Sequence, residues 1–76
     1  MKTSVGIDYK EFVTKQTGRS GWKYFDGPST GCGTEYWLRS GRHEAYVCND
    51  QGHVEITVDG ENIFSGWEDE INPDGD

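Results

Sequence analysis

The stretch 43-HEAYVCNDQGHVEITVDGENIFSGW-67 contains three runs of alternating apolar and polar residues, HEAYVC, HVEITV and NIFSGW, separated by NDQG and DG. Alternation with a period of two sends successive side chains to opposite faces of an extended strand, and polar Gly-containing clusters between such runs mark hairpin turns. Two more extended runs lie upstream: TEYWL (34–38), joined through RSG, and GWKYFD (21–26), joined through the Gly-rich connection GPSTGCG (27–33). The pattern predicts a meander of four or five antiparallel strands.

The segment before these strands reads as a helix. In IDYKEF (7–12), Asp8 can cap by accepting from the Glu11 N–H, Glu11 can complete a capping box, and Ile7 can staple onto Phe12. A helix from Tyr9 to about Thr17 would carry Tyr9, Phe12, Val13 and Gln16 on one face, with Gly18 left-handed past its end. A helix this short needs a sheet to lie on. The fold class is therefore α+β, one N-terminal helix packed on a four- to five-stranded antiparallel meander. Residues 1–67 form a single domain, and the acidic segment 68–76 is read as a flexible tail.

Register follows from the turns. If NDQG and RSG are three-residue loops closing with Gly52 and Gly41 in a left-handed bulge, Asn49 pairs with His53 and Leu38 with Arg42. One face then collects Cys32, Thr34, Tyr36, Leu38, Glu44, Tyr46, Cys48, Val54, Ile56, Val58, Ile63, Ser65 and Trp67 as the core. The reverse face takes Glu35, Trp37, His43, Ala45, Val47, His53, Glu55, Thr57 and Phe64. A two-residue turn at Ser40-Gly41 would instead swap the faces of TEYWL.

The 76-residue chain carries a formal charge of −7, unevenly divided: residues 1–42 hold +3, and residues 43–76 hold −10 without one Lys or Arg. Such a field disfavours direct contact with nucleic acid or an anionic membrane and favours a basic partner. No apolar run reaches the length of a membrane span, and MKTSVGIDYKEF lacks the apolar core of a signal peptide, so the expected location is cytoplasmic. Cys32 and Cys48 are then expected as reduced thiols, although their shared face would allow a cross-strand bridge on oxidation, worth about 3 kcal/mol.

Three groups of residues carry ligand or nucleophile chemistry. Cys32, His43, Cys48 and His53 have zinc-ligand chemistry, but the odd spacing of His43 and Cys48 on one strand sends them to opposite faces. The same parity opposes a Cys–His nucleophile, and the Gly-rich segment leads into a strand and not into a phosphate-binding helix. EINPDGD (70–76) shows the alternating oxygens of a calcium loop at Glu70, Asn72 and Asp74, without a closing bidentate Glu. No enzyme activity and no cofactor are expected. A small metal-binding domain, using Cys/His or tail oxygens, is the alternative reading, and a structural phage protein a further one.

The whole-chain profile, with negative charge concentrated in HEAYVCNDQGHVEITVDGENIFSGWEDEINPDGD, resembles that of phage-encoded inhibitors of host defence, in particular anti-CRISPR proteins and DNA mimics. The resemblance lies in size, architecture and charge. It implies a cofactor-free, stoichiometric binder acting in a bacterial host cell, which blocks a basic nucleic-acid-handling protein such as a CRISPR effector. The acids expected to make contact are Glu55, Asp59, Glu61, Glu68, Asp69 and Glu70, with Trp37 and Phe64 as aromatic anchors.

Overall fold

A computed structural model describes residues 8–71. Helix α1 (Tyr9–Thr17) precedes five strands, β1 (Lys23–Phe25), β2 (Thr34–Ser40), β3 (His43–Asp50), β4 (His53–Val58) and β5 (Glu61–Trp67), and a short helix α2 (Glu68–Ile71) follows. All pairings are antiparallel and the spatial order equals the chain order, β1-β2-β3-β4-β5, so the expected α+β meander is the fold.

Asp8 caps α1, its carboxylate accepting from Glu11 N at 3.0 Å, and Gly18 ends the helix in the left-handed region at φ +74°. The Glu11 carboxylate lies beside Lys15 at 3.6 Å, one turn on, and the Ile7 staple lies outside the described residues. Tyr9 and Val13 are buried and Phe12 packs against the core, whereas Gln16 is exposed. Trp22, just before β1, is also buried, with its indole N–H donated to Arg19 O at 2.8 Å. Arg19 in turn donates to Ser40 Oγ at 3.1 Å, and Ser40 Oγ donates to Ser20 O at 2.7 Å, which fixes the helix-to-strand link on β2.

The turns correct the expected register. Ser40 faces His43, Asp50 faces His53 and Val58 faces Glu61, so the β2–β3, β3–β4 and β4–β5 loops each have two residues. Gln51 (φ +55°) with Gly52 (φ +94°), and Asp59 (φ +53°) with Gly60 (φ +87°), have both central residues left-handed, the type I′ pattern that matches strand twist. The change inverts β3: Ala45 and Val47 face the helix, opposite Leu38 and Tyr36, while Glu44, Tyr46 and Cys48 face away. Solvation explains the preference. The three-residue register would bury the Glu44 carboxylate at a cost of several kcal/mol, whereas the observed one buries Val47 for about 1.5–3 kcal/mol in favour of folding.

A second correction falls on β5. Ile56 faces Phe64 but Thr57 faces Asn62, leaving Ile63 as the extra residue of a β-bulge. The bulge breaks the two-residue period, so the adjacent Ile63 and Phe64 both pack on the helix side, Phe64 edge-on to Phe12 with centroids 5.1 Å apart. Beyond the bulge, Ser65 and Trp67 lie on the reverse face, opposite Glu55 and His53. Trp67, expected in the core, is 55% exposed. The acidic segment begins as α2, where Glu68 N donates to Gly52 O at 2.9 Å and Ile71 packs against the core; residues 72–76 lie outside the described residues.

The thiols are not reduced. Cys32 and Cys48 form a disulfide with Cα atoms 5.9 Å apart, on the reverse face and not in the core. It is not a cross-strand bridge of β2 and β3, because the β2 partner of Cys48 is Glu35, and Cys32 belongs to the loop 26–33. The bridge fastens that loop over the reverse face.

Candidate protein-binding surface

Because a meander keeps chain order in space, the charge asymmetry of the sequence becomes a gradient across the sheet. Lys10, Lys15, Arg19, Lys23, Arg39 and Arg42 lie on α1, β1, β2, their connections and the β2–β3 turn, among Asp8, Glu11, Asp26 and Glu35, while residues 43–71 hold eight carboxylates and no Lys or Arg. With strands about 4.8 Å apart, the β1 and β5 margins are separated by about 19 Å.

The six expected contact acids divide into two groups. Glu55, on the reverse face of β4, Glu61, at the start of β5, and Asp69, on α2, are exposed and make no hydrogen bond or ion pair with other described residues. The other three are engaged by the fold. Asp59 accepts from His43 Nδ1 at 2.6 Å and from Glu44 N at 3.0 Å, and the hydrogen bond from His43 leads in holding its carboxyl below the usual carboxylate range. Glu68 accepts from Asn49 Nδ2 at 3.3 Å, and Glu70 accepts from Trp67 N at 3.1 Å. Asn49 also donates to Tyr9 Oη at 3.0 Å and accepts from Gly52 N at 2.9 Å, tying α1, α2 and the β3–β4 turn together. The acids therefore occupy both ends of β5, about 20 Å apart along the strand, instead of one compact cluster.

The aromatic anchors are redistributed. Phe64 leaves the reverse face for the core. Trp37 does lie on the reverse face, in a cross-strand row with Phe25 and Tyr46, but it is covered. Its indole N–H donates to Pro28 O at 3.0 Å, Tyr46 packs 4.6 Å from it, and Gly27 lies against the ring. Trp67 takes the role of exposed aromatic instead. It packs edge-on to His53 at 5.1 Å, with Glu55 two residues along β4 from His53 and Asp69 two residues along the chain. Sequence reading missed Trp67 because its face is set by the bulge at Ile63: the Asp59-Gly60 turn and the inward face of β4 were read as observed, and no residue in NIFSGW marks the bulge.

Glu35 is a second residue whose role was not foreseen. Its Oε2 accepts from Thr30 N (2.8 Å), Thr30 Oγ1 (2.6 Å), Cys32 N (2.9 Å) and Tyr46 Oη (3.3 Å), and Thr30 Oγ1 also bonds Tyr46 Oη. Donation from the Thr30 hydroxyl leads in lowering its pKa. Glu35 thus organises the 26–33 loop together with the disulfide and the Trp37–Pro28 hydrogen bond.

With both sulfurs in the bridge, the Cys/His ligand set of the metal-binding alternative has no thiolate to offer. Among the described residues no three His, Cys, Asp or Glu side chains converge as metal ligands, and Asn72 and Asp74 of the calcium-like segment lie outside them. No helix among the described residues is long and apolar enough to cross a membrane. The fold and surface define the chain's class as a small open-faced α+β sheet domain whose excess of carboxylates lies toward its β4–β5 edge. Comparison with protein-family models, with curated proteins and with solved structures gave no match.

Proposed function

We propose that this chain is a non-enzymatic binding protein whose β4–β5–α2 margin docks on a basic, nucleic-acid-handling protein and blocks the surface that partner uses for phosphates. The observation that carries the reading is the exposed indole of Trp67 set among carboxylates, with no Lys or Arg from residue 43 to residue 71. An interface of this kind needs a desolvated aromatic anchor for affinity and like-signed charge around it for steering and partner choice. Glu55, Glu61 and Asp69 supply charge that the fold itself does not use, and a basic channel such as that of a CRISPR effector is the partner class the charge pattern fits. The disulfide contributes no atom to this margin. Because bridges persist in oxidising compartments, a cytoplasmic location is not part of the proposal.

The test is affinity capture from a bacterial lysate on immobilised wild-type protein and on the Glu55→Gln/Glu61→Gln/Asp69→Asn variant. Wild type is expected to retain a nucleic-acid-binding protein that elutes with rising salt and with added duplex DNA, and the variant to lose it. Retention that is indifferent to salt, to DNA and to the three substitutions would overturn the reading.

A further inference from the structure

Strand β5 is an edge strand of seven residues, paired with β4 alone. The direction of its backbone groups follows from the register. Asp50 and His53 flank a two-residue turn and so bond to each other, which points the backbone groups of His53 toward β3. Those of Trp67, its β5 partner, therefore point away from β4, as do those of Ser65 two residues back. Trp67 N shows this direction by donating to Glu70 Oε2 at 3.1 Å instead of to β4. At the β4–β5 turn Val58 and Glu61 bond to each other in the same way, so the groups of Asn62 also point outward. The bulge at Ile63 lies between Asn62 and Ser65 and separates these outward positions by three residues in place of two.

Among the described residues nothing bonds the outward backbone groups of Asn62 or Ser65. Such a row is a template for another strand, and proteins commonly blunt it with Lys or Pro. Strand β5 carries neither. Its one stopper is Glu70, whose carboxylate takes the Trp67 N–H and lies over Gly66, at the far end of the edge. The two sides of the edge differ in chemistry. On the helix side Ile63 and Phe64 are half-buried and present apolar surface. On the reverse side Ser65 is exposed beside Glu55 of β4.

We infer that β5 accepts a further strand from the basic partner, an extended segment alternating basic and apolar residues, which rests on the docking proposed above and specifies its form. Main-chain hydrogen bonds to Asn62 and Ser65 hold the segment, and its alternate side chains read the two sides of the edge. The apolar ones lie against Ile63 and Phe64. The Lys or Arg residues lie on the reverse side, where Glu55 offers a carboxylate that the fold leaves unpaired. Charge selects against a second copy of this chain as the occupant, because residues 43–71 hold no Lys or Arg and two such margins would repel each other.

The experiment titrates the intact oxidised protein, followed by NMR and amide hydrogen exchange, with a short peptide alternating Lys and Val. Two analogues accompany it, one N-methylated along both backbone edges and one with Glu in place of Lys. The Lys–Val peptide is expected to slow exchange at Asn62 and Ser65 and to bind about tenfold tighter than its N-methylated analogue, with no binding of the Glu analogue. Ser65→Pro removes an outward N–H without touching the ladder to β4, and is expected to weaken binding several-fold while the amide spectrum of β1 to β4 is kept. Should that variant unfold, the N-methylated analogue asks the same question of the unaltered chain. Equal binding of the N-methylated peptide, with Asn62 and Ser65 exchanging freely, would overturn strand addition and leave a salt-sensitive docking margin standing. Failure of the Lys–Val peptide to bind, or equal binding of the Glu analogue, would also overturn it, while capture from lysate tests the margin separately. Slow exchange at these two amides that appears without peptide and rises with protein concentration would make a second copy the occupant and overturn the basic segment.

Discussion

Gly27 lies flat against the indole of Trp37, so close that a Cβ built on it would stand 2.6 Å from Cδ2 of the ring. The restriction is steric and not conformational, since Gly27 has no left-handed backbone to explain it. Trp37 is pinned on its other side by Tyr46 and cannot retreat. Gly27→Ala is therefore expected to lift the loop and destabilise the fold by about 1–3 kcal/mol. Urea unfolding of the variant checks this, and a midpoint equal to wild type would show that the loop does not press on the ring.

The Cys32–Cys48 bridge closes a loop with a sequence separation of 16 residues. Constraining the unfolded chain over that length is worth about 3 kcal/mol in the chain-entropy account, and for a domain of this size each kcal/mol moves Tm by roughly 4–8 °C. A melting curve with reductant, or of Cys32→Ser/Cys48→Ser, is expected to fall by on the order of 10–20 °C. The hydrogen bonds of Glu35 to Thr30 survive that change, so the sheet should stay folded at room temperature.

Asp59 and Glu35 both have carboxyl groups held below their usual range, by the His43 hydrogen bond first in one case and the Thr30 hydroxyl first in the other. Between each lowered native value and the ordinary unfolded one, the unfolded chain binds more protons, so stability rises with pH there. The contribution is fully present above the usual carboxylate range and is lost as pH falls through the native values. Acid-induced unfolding followed by circular dichroism should show this loss, and Asp59→Asn should flatten the dependence. An identical acid profile for wild type and variant would remove Asp59 from the account.

Val47 is fully buried opposite Tyr36 and Ile56, whereas a three-residue turn at Gly52 would leave it on the open face. Val47→Thr preserves shape but places a hydroxyl in an apolar site, with an expected cost of about 1–3 kcal/mol. A neutral result by denaturant unfolding would contradict the observed register.

The N-terminal cap is the simplest case. Asp8→Ala removes the acceptor for Glu11 N and is expected to cost about 1 kcal/mol, read as a lower urea midpoint.

Much of the architecture was legible because it is written locally. The Asp8 cap, the Gly18 stop, the five extended runs and the turn residues between them each depend on neighbours a few positions away, so residue types alone located α1 and β1 to β5. The inward faces of β2 and β4, with Leu38, Val54 and Ile56, followed from alternation once a core was assumed. The accumulation of acids after residue 42, and its transfer to one margin of the sheet, also followed from sequence, since a meander preserves chain order.

What only the tertiary structure decided was the phase of that alternation. Turns at Gly41-Arg42 and Gln51-Gly52, each one residue shorter than a three-residue loop, invert β3 and return β4 to its expected phase, and a single bulge at Ile63 inverts the end of β5. The turns moved Cys48 outward, opposite Glu35, to meet Cys32, and the bulge exchanged Phe64 for Trp67 on the open face. Turn length and bulge position are chosen by which carboxylates stay in water and which side chains fill the space beneath α1, a choice made by the whole packed sheet and by no segment of it alone.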